Sequence, residues 1–165
     1  MSSSEPGTAP PAAPRMDGRT GPARLRGLPT RLLSLAATHS DRLVNEGLAA
    51  ADARKWHYAV LATLEESGPA SQAELSRRTG IYRSDLVSVI NELTDRGLVE
   101  RAPDPADRRR NVITMTELGR ARFARLDTLI TELEDEVLAP LGPAEREQLG
   151  RLLTRLVDHH ARRDG

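Results

Sequence analysis

The sequence predicts a mainly α-helical fold with one small β-hairpin, in the order ααααββαα. Three observations predict it. Apolar residues recur at helical spacing along most of residues 29–160. Residues 71–97 divide at Gly80 into two short helices. Two short apolar or β-branched runs, Leu98–Arg101 and Val112–Met115, flank a Pro/Asp turn segment that ends in Arg108-Arg109-Arg110. Helix, tight turn, helix and basic hairpin together outline a winged helix-turn-helix.

Residues 1–27 are rich in Ser, Gly, Ala and Pro and carry almost no large apolar side chains. Such a segment cannot bury enough surface to offset its ordering entropy, so a disordered tail is expected. Its Arg15, Arg19, Arg24 and Arg26 have two readings, solvated charges or phosphate contacts. Residues 28–162 are expected to fold, with 163–165 a short C-terminal tail. From Pro29 to about Gly47, Leu32, Leu35, Ala36, His39 and Leu43 form a helical stripe, with Gly47 as the expected stop. A second helix is predicted from near Asp52 to Ser67, ended by Gly68-Pro69.

Ser71-Gln72-Ala73-Glu74 reads as a capping box, in which hydroxyl and carboxylate satisfy each other's orphan amides. The next helix carries Leu86, Val89, Ile90 and Leu93 at i, i+3, i+4 and i+7, and closes at Arg96-Gly97. Thr116 caps a long helix over about 117–139, with a stripe of Leu126, Leu129, Ile130, Leu133 and Val137. Gly142-Pro143 puts a proline in the first turn of the last helix, which carries Leu149, Leu152, Leu153, Leu156 and Val157, with His160 continuing the stripe.

Composition removes several function classes. The 24 basic and 24 acidic residues balance, so any electrostatic signal must be local. Cysteine is absent, which excludes disulfides, thiolate metal sites and thiol redox sensing. No apolar run approaches the roughly 20 residues of a membrane span. The N-terminus lacks the apolar core of a secretory signal, so a cytoplasmic protein with no membrane partner is expected. His39, His57, His159 and His160 show no compact ligand spacing, and no metal or other cofactor is implied. There is no Gly-rich phosphate loop and no nucleophile motif, and Asp158-His159-His160 sits at a charged, solvated chain end. An enzyme is not expected.

The second short helix is built to face a groove. With Leu86, Val89, Ile90 and Leu93 inward, steps of about 100° place Ser84, Ser88, Asn91 and Asp95 outward, with Val87 and Thr94 on the shoulder. Ser and Asn suit base edges, and they also suit any solvated face. The helix itself is not basic, since Asp85, Glu92 and Asp95 outnumber Arg83 and Arg96. Neutralisation of a polyanion must come from Arg77, Arg78, Arg83, Arg101, Arg108, Arg109 and Arg110 around it. Ser71, Gln72 and Tyr82 complete the candidate DNA-facing set. Tyr82 has two equal readings, stacking on sugar–phosphate or packing. The rival reading is a winged helix used as a protein-interaction module without specific DNA binding, and the arginine run favours DNA.

These residues resemble the multiple-antibiotic-resistance regulator (MarR) family of bacterial transcription factors, over about residues 28–162. The resemblance rests on Asp104-Pro105-Ala106-Asp107-Arg108-Arg109-Arg110-Asn111-Val112-Ile113-Thr114-Met115-Thr116-Glu117-Leu118-Gly119, which looks like the family's wing signature followed by T-x-x-G. Leu93–Arg101 looks like the exit from its recognition helix. The resemblance implies that Arg109 enters a minor groove at the wing tip, that Asp107 pairs with it, and that Ser84, Val87 and Ser88 face the major groove. Two positions depart from the pattern: Ser88 stands where arginine is common, and Tyr82 replaces a small polar cap.

The resemblance also implies a homodimer on a pseudopalindromic operator, acting as a ligand-responsive repressor. Residues 28–50 and 117–162 would be the dimerisation helices, and 52–116 the winged core. Apolar stripes near both chain ends support a partner surface independently. By the same resemblance, a small, often aromatic or anionic effector would bind between the dimerisation helices and the winged core. The candidates are His39, Arg42, Trp56, His57 and Arg120; the alternative is a packed Trp and a satisfied core His.

Overall fold

The computed structural model describes residues 21–163. Residues 1–20, where most of the expected tail falls, lie outside the described residues. Inside that segment, Ala23–Arg26 forms one helical turn, α1, closed by Leu25 and Arg26 amides donating to Pro22 O at 2.9 and 3.1 Å. It buries no side chain, so local hydrogen bonding alone makes this turn. The chain divides by its contacts at Ser40, and the hydrophobic core belongs to the unit from Asp41 onward.

Helix α2 runs from Pro29 to Ala50. Gly47 is therefore not a stop. A Cβ there would stand 2.7 Å from both Leu133 methyls, so glycine at 47 makes a notch for that side chain. The helix ends instead at a turn in which Asp52 adopts φ +52°. Helix α3 consequently starts at Lys55, later than expected, and runs to Ser67. Arg122 donates to Ala51 O and Asp52 O, and Arg96 donates to Asp52 O at 2.7 Å, so two later elements clasp this turn.

Strand β1 is the two-residue Ala70–Ser71, followed by α4 (Gln72–Thr79) and α5 (Arg83–Asp95). Strands β2 (Val99–Pro103) and β3 (Asn111–Met115) form the hairpin, and α6 (Glu117–Val137) and α7 (Pro143–Ala161) complete the chain. The antiparallel sheet has the order β1-β3-β2, with Ala70 opposite Ile113 and Arg101 opposite the same Ile113 from the other side. Sequence reading missed β1 because two residues carry no periodicity; its pairing partner lies about forty residues on.

Leu48, Leu61, Leu75, Leu86, Ile90, Leu93, Ile113 and Leu126 are fully buried, drawn from α2 through α6. Each such side chain contributes about 1.5–3 kcal/mol of burial. The hairpin joins this core through a close approach at α6. Thr116 Oγ1 accepts from Gly119 N at 3.0 Å as the N-cap, and donates to Gly97 O at 2.6 Å. Its amide donates to Leu98 O at 3.1 Å. Gly119 lets the first turn of α6 lie against that carbonyl, which a Cβ would meet at 2.1 Å. Among the described residues, no helix is long and apolar enough to cross a membrane.

Candidate nucleic-acid interface

The two short helices are set by local bonds. Ser71 Oγ accepts from Glu74 N at 3.2 Å while Glu74 Oε2 accepts from Ser71 N at 2.9 Å, the reciprocal cap expected of that tetrapeptide. These bonds from Ser71 hold the Glu74 carboxyl below the usual carboxylate range. Gly80, at φ +71°, ends α4 in the left-handed region. Ser76 Oγ donates to Ile81 O at 2.6 Å, and Ile81 is buried, which turns the chain sharply into α5.

Leu86, Val89, Ile90 and Leu93 of α5 are buried, and Ser84, Val87, Ser88, Asn91 and Asp95 are exposed. The outward face is thus neutral apart from Asp95. Tyr82 is the N-cap residue of α5; it is 79% exposed and makes no cap hydrogen bond with its side chain. Exposure removes the packing alternative for this ring. Arg77 and Arg78 are exposed in the last turn of α4. Ser71, Gln72, Ala73, Arg83, Leu86, Val87, Arg110 and Asn111 line a cleft of about 360 Å³, so the start of α4, helix α5 and the base of the hairpin share one depression.

The wing tip is tied by its own main chain. Asp104 N donates to Arg110 O at 2.7 Å, Arg110 N to Asp107 O at 2.9 Å, and Ala106 N to Asp104 Oδ1 at 2.9 Å. Asp107 Oδ1 accepts from the Arg109 amide at 3.1 Å, an Asx turn that aims the backbone at this position. The resemblance implied a pairing with Arg109; the bond in the structure is to its main chain. Arg108, Arg109 and Arg110 are all exposed. Arg101 is different: its Nη2 donates to Asn91 Oδ1 at 2.6 Å, so two residues expected to touch DNA separately also touch each other.

Behind α5 lies a polar joint. His57, only 3% exposed, places Nε2 2.7 Å from Glu92 Oε2 on α5, and Arg54 donates to the same carboxylate. Burial pulls the His57 pKa below its ordinary 6.5, against the opposing pull of the Glu92 bond. The same bond to His57, then Arg54, holds Glu92 below its ordinary value. Neutral imidazole therefore donates to carboxylate at neutral pH. Arg96, at the end of α5, reaches Asp52. On the far side of α3, Tyr58 donates to Asp127 at 2.7 Å and stacks on Phe123; burial, with that bond, pushes its phenol up to about 12.

The five effector candidates are not gathered in this joint. Its cleft, about 250 Å³, is lined by Ala49, Asp52, Ala53, Arg54, His57, Glu92 and Arg96. Of the candidates it contains His57 alone, bonded as a satisfied core histidine. Trp56 is 42% exposed rather than packed, and Arg120 donates to Glu117 at 3.5 Å. His39 and Arg42 are exposed on α2. Sequence reasoning did not single out Asn111, Arg54 or Glu92. Asn111 had a signal, since it directly follows the arginine run; Arg54 and Glu92 had none, being ordinary surface residues until α3 and α5 pack together.

A family profile described as "MarR family" matches residues 41–110, from within α2 to the last wing arginine. A solved structure, a probable transcriptional regulator from Pseudomonas aeruginosa, is 32% identical with a TM-score of 0.71, over 81% of this chain and 99% of that one. The chain belongs to the MarR family. This MarR-family chain is also 30% identical over 101 residues to the HTH-type transcriptional repressor NicR of Pseudomonas putida. That alignment covers 61% of this chain, and the chain spans 60–64% of the length of the curated relatives it matches. Bordetella bronchiseptica BpsR, whose DNA binding is regulated by 6-hydroxynicotinic acid, is 26% identical with a TM-score of 0.72, over 84% and 99% of the two chains. A MarR variant from E. coli, solved with operator DNA, is 26% identical with a TM-score of 0.68, over 77% and 91%.

Proposed function

We propose that this MarR-family protein is a sequence-specific duplex-DNA-binding transcription regulator, a homodimer on a pseudopalindromic operator whose affinity falls when a small molecule binds. One observation carries the reading. An exposed, nearly neutral face of α5 shares one depression with Arg83 and with Arg110 at the base of a wing whose tip, braced by its own backbone, exposes Arg108 and Arg109. Phosphate contacts position a protein and base contacts specify sequence, and this face divides the two tasks between elements. Arg109 supplies the cation for a narrow minor groove, where negative potential concentrates. Ser84, Val87 and Ser88 face the major groove.

Self-association has its own support. Helix α7 buries no residue and exposes Leu152, Leu156 and Val157, and α2 exposes Leu32 and Leu33. Segments 28–50 and 117–162 are the dimerisation helices in this reading. The repressor named among its relatives and the BpsR ligand favour negative control relieved by a small aromatic acid. The test is retention of duplexes from a randomised pool by the full chain, followed by Arg109→Ala. Removing that guanidinium should weaken binding by about 1–3 kcal/mol at fixed salt, with folding unchanged. An unaltered dissociation constant rejects the wing assignment, and retention of no duplex favours the protein-interaction module.

A further inference from the structure

We propose that Val87 is the residue through which the recognition helix reads its site, and that what it reads is the C5-methyl group of a thymine. The inference rests on the DNA-binding reading above and names the chemistry of its base contact. Val87 is 44% exposed on α5, beside the hydroxyls of Ser84 and Ser88. Another outward candidate, Asn91, already accepts a hydrogen bond from Arg101, so its amide oxygen is engaged by the wing strand. Among the described residues, no basic side chain stands on the outward face between Ser84 and Asp95: Arg96 is held to Asp52, and Arg101 to Asn91. Guanine, read by a bidentate cation, has no reader on that stretch, and Arg83, one turn before Val87, lines the cleft shared with Arg110.

Position strengthens the assignment. Val87 borders the cleft that also holds Arg83, Arg110, Asn111 and the start of α4. The two arginines, Arg83 and Arg110, hold a backbone phosphate there. Thymine's methyl stands at the major-groove edge near its own sugar–phosphate strand, so a strand seated in this cleft brings that methyl to the valine. An aliphatic group on an otherwise polar, solvated face gains most from the thymine methyl, the largest apolar group on a major-groove edge.

The experiment uses the full chain and the duplex enriched from a randomised pool. Each thymine of the enriched half-site is replaced in turn by uracil, which removes the methyl and leaves pairing intact. Wild type is expected to lose about fourfold in affinity per half-site at one position, the worth of one buried methyl. Val87→Ser, which folds normally because the side chain is exposed, is expected to bind thymine and uracil duplexes within about twofold of each other. Uracil tolerated at every position, or the same penalty persisting in Val87→Ser, overturns the proposal while leaving DNA binding standing. Failure of wild type to retain any duplex removes the proposal together with the reading beneath it.

Discussion

Replacing Gly119 by alanine is expected to destabilise the protein by about 2–4 kcal/mol. The new Cβ would stand 2.1 Å from Leu98 O, 3.0 Å from Leu98 C and 2.7 Å from Met115 Cγ. Ordinary contact begins near 3.5 Å, so the start of α6 must withdraw by roughly 1 Å. Leu98 cannot yield instead, because it is main chain at the root of the wing and its carbonyl accepts from Thr116 N. Overpacking of this kind costs about 1–3 kcal/mol, and a stretched Thr116–Leu98 bond adds about 1 kcal/mol. Urea unfolding followed by circular dichroism reads the loss as a lower midpoint at constant slope. The melting temperature should fall by roughly 5–15 °C for a chain of this size. A Gly119→Ala midpoint within about 0.5 kcal/mol of wild type would refute the close-approach argument.

Acid should loosen the joint behind α5. The folded pKa of His57 lies below its ordinary 6.5, so its contribution is complete above that value and is lost as pH falls through the lowered one. The depressed carboxyl of Glu92 acts in the same direction below its ordinary 4.5. Stability measured from pH 7 downward should decline, and His57→Gln should flatten the part of that decline that begins near pH 6.5; parallel curves for both proteins would remove His57 as its source. Separately, Leu152→Glu with Leu156→Glu should convert a sedimenting dimer into monomer at unchanged helix content. A dimer that persists would place self-association elsewhere.

Much of this architecture was legible because local chemistry decides it. Ser71 and Glu74 announce the start of α4, the spacing of Leu86, Val89, Ile90 and Leu93 gives the inner face of α5, and Thr116 marks the start of α6. What escaped depends on partners distant in sequence. Gly47 looked like a terminator because a lone glycine cannot reveal that Leu133 will occupy the space beside it. Ala70-Ser71 becomes a strand only when β3 arrives. Periodicity placed Asn91 on the outer face correctly but could not show that the register of β2 brings Arg101 within 2.6 Å of it. His57 stood among the effector candidates, with a satisfied core histidine as the alternative. Its role depends on Glu92 of another helix, which no local pattern reveals.

The most direct test of the central claim is the salt dependence of duplex binding by the full chain, beside a variant with Arg108, Arg109 and Arg110 all changed to alanine. Counterion release predicts a linear fall of log affinity with log salt for wild type, made shallower in the variant by roughly one for each phosphate it no longer neutralises. A flat wild-type profile, or two lines of equal slope, would contradict a wing that grips DNA through its arginines.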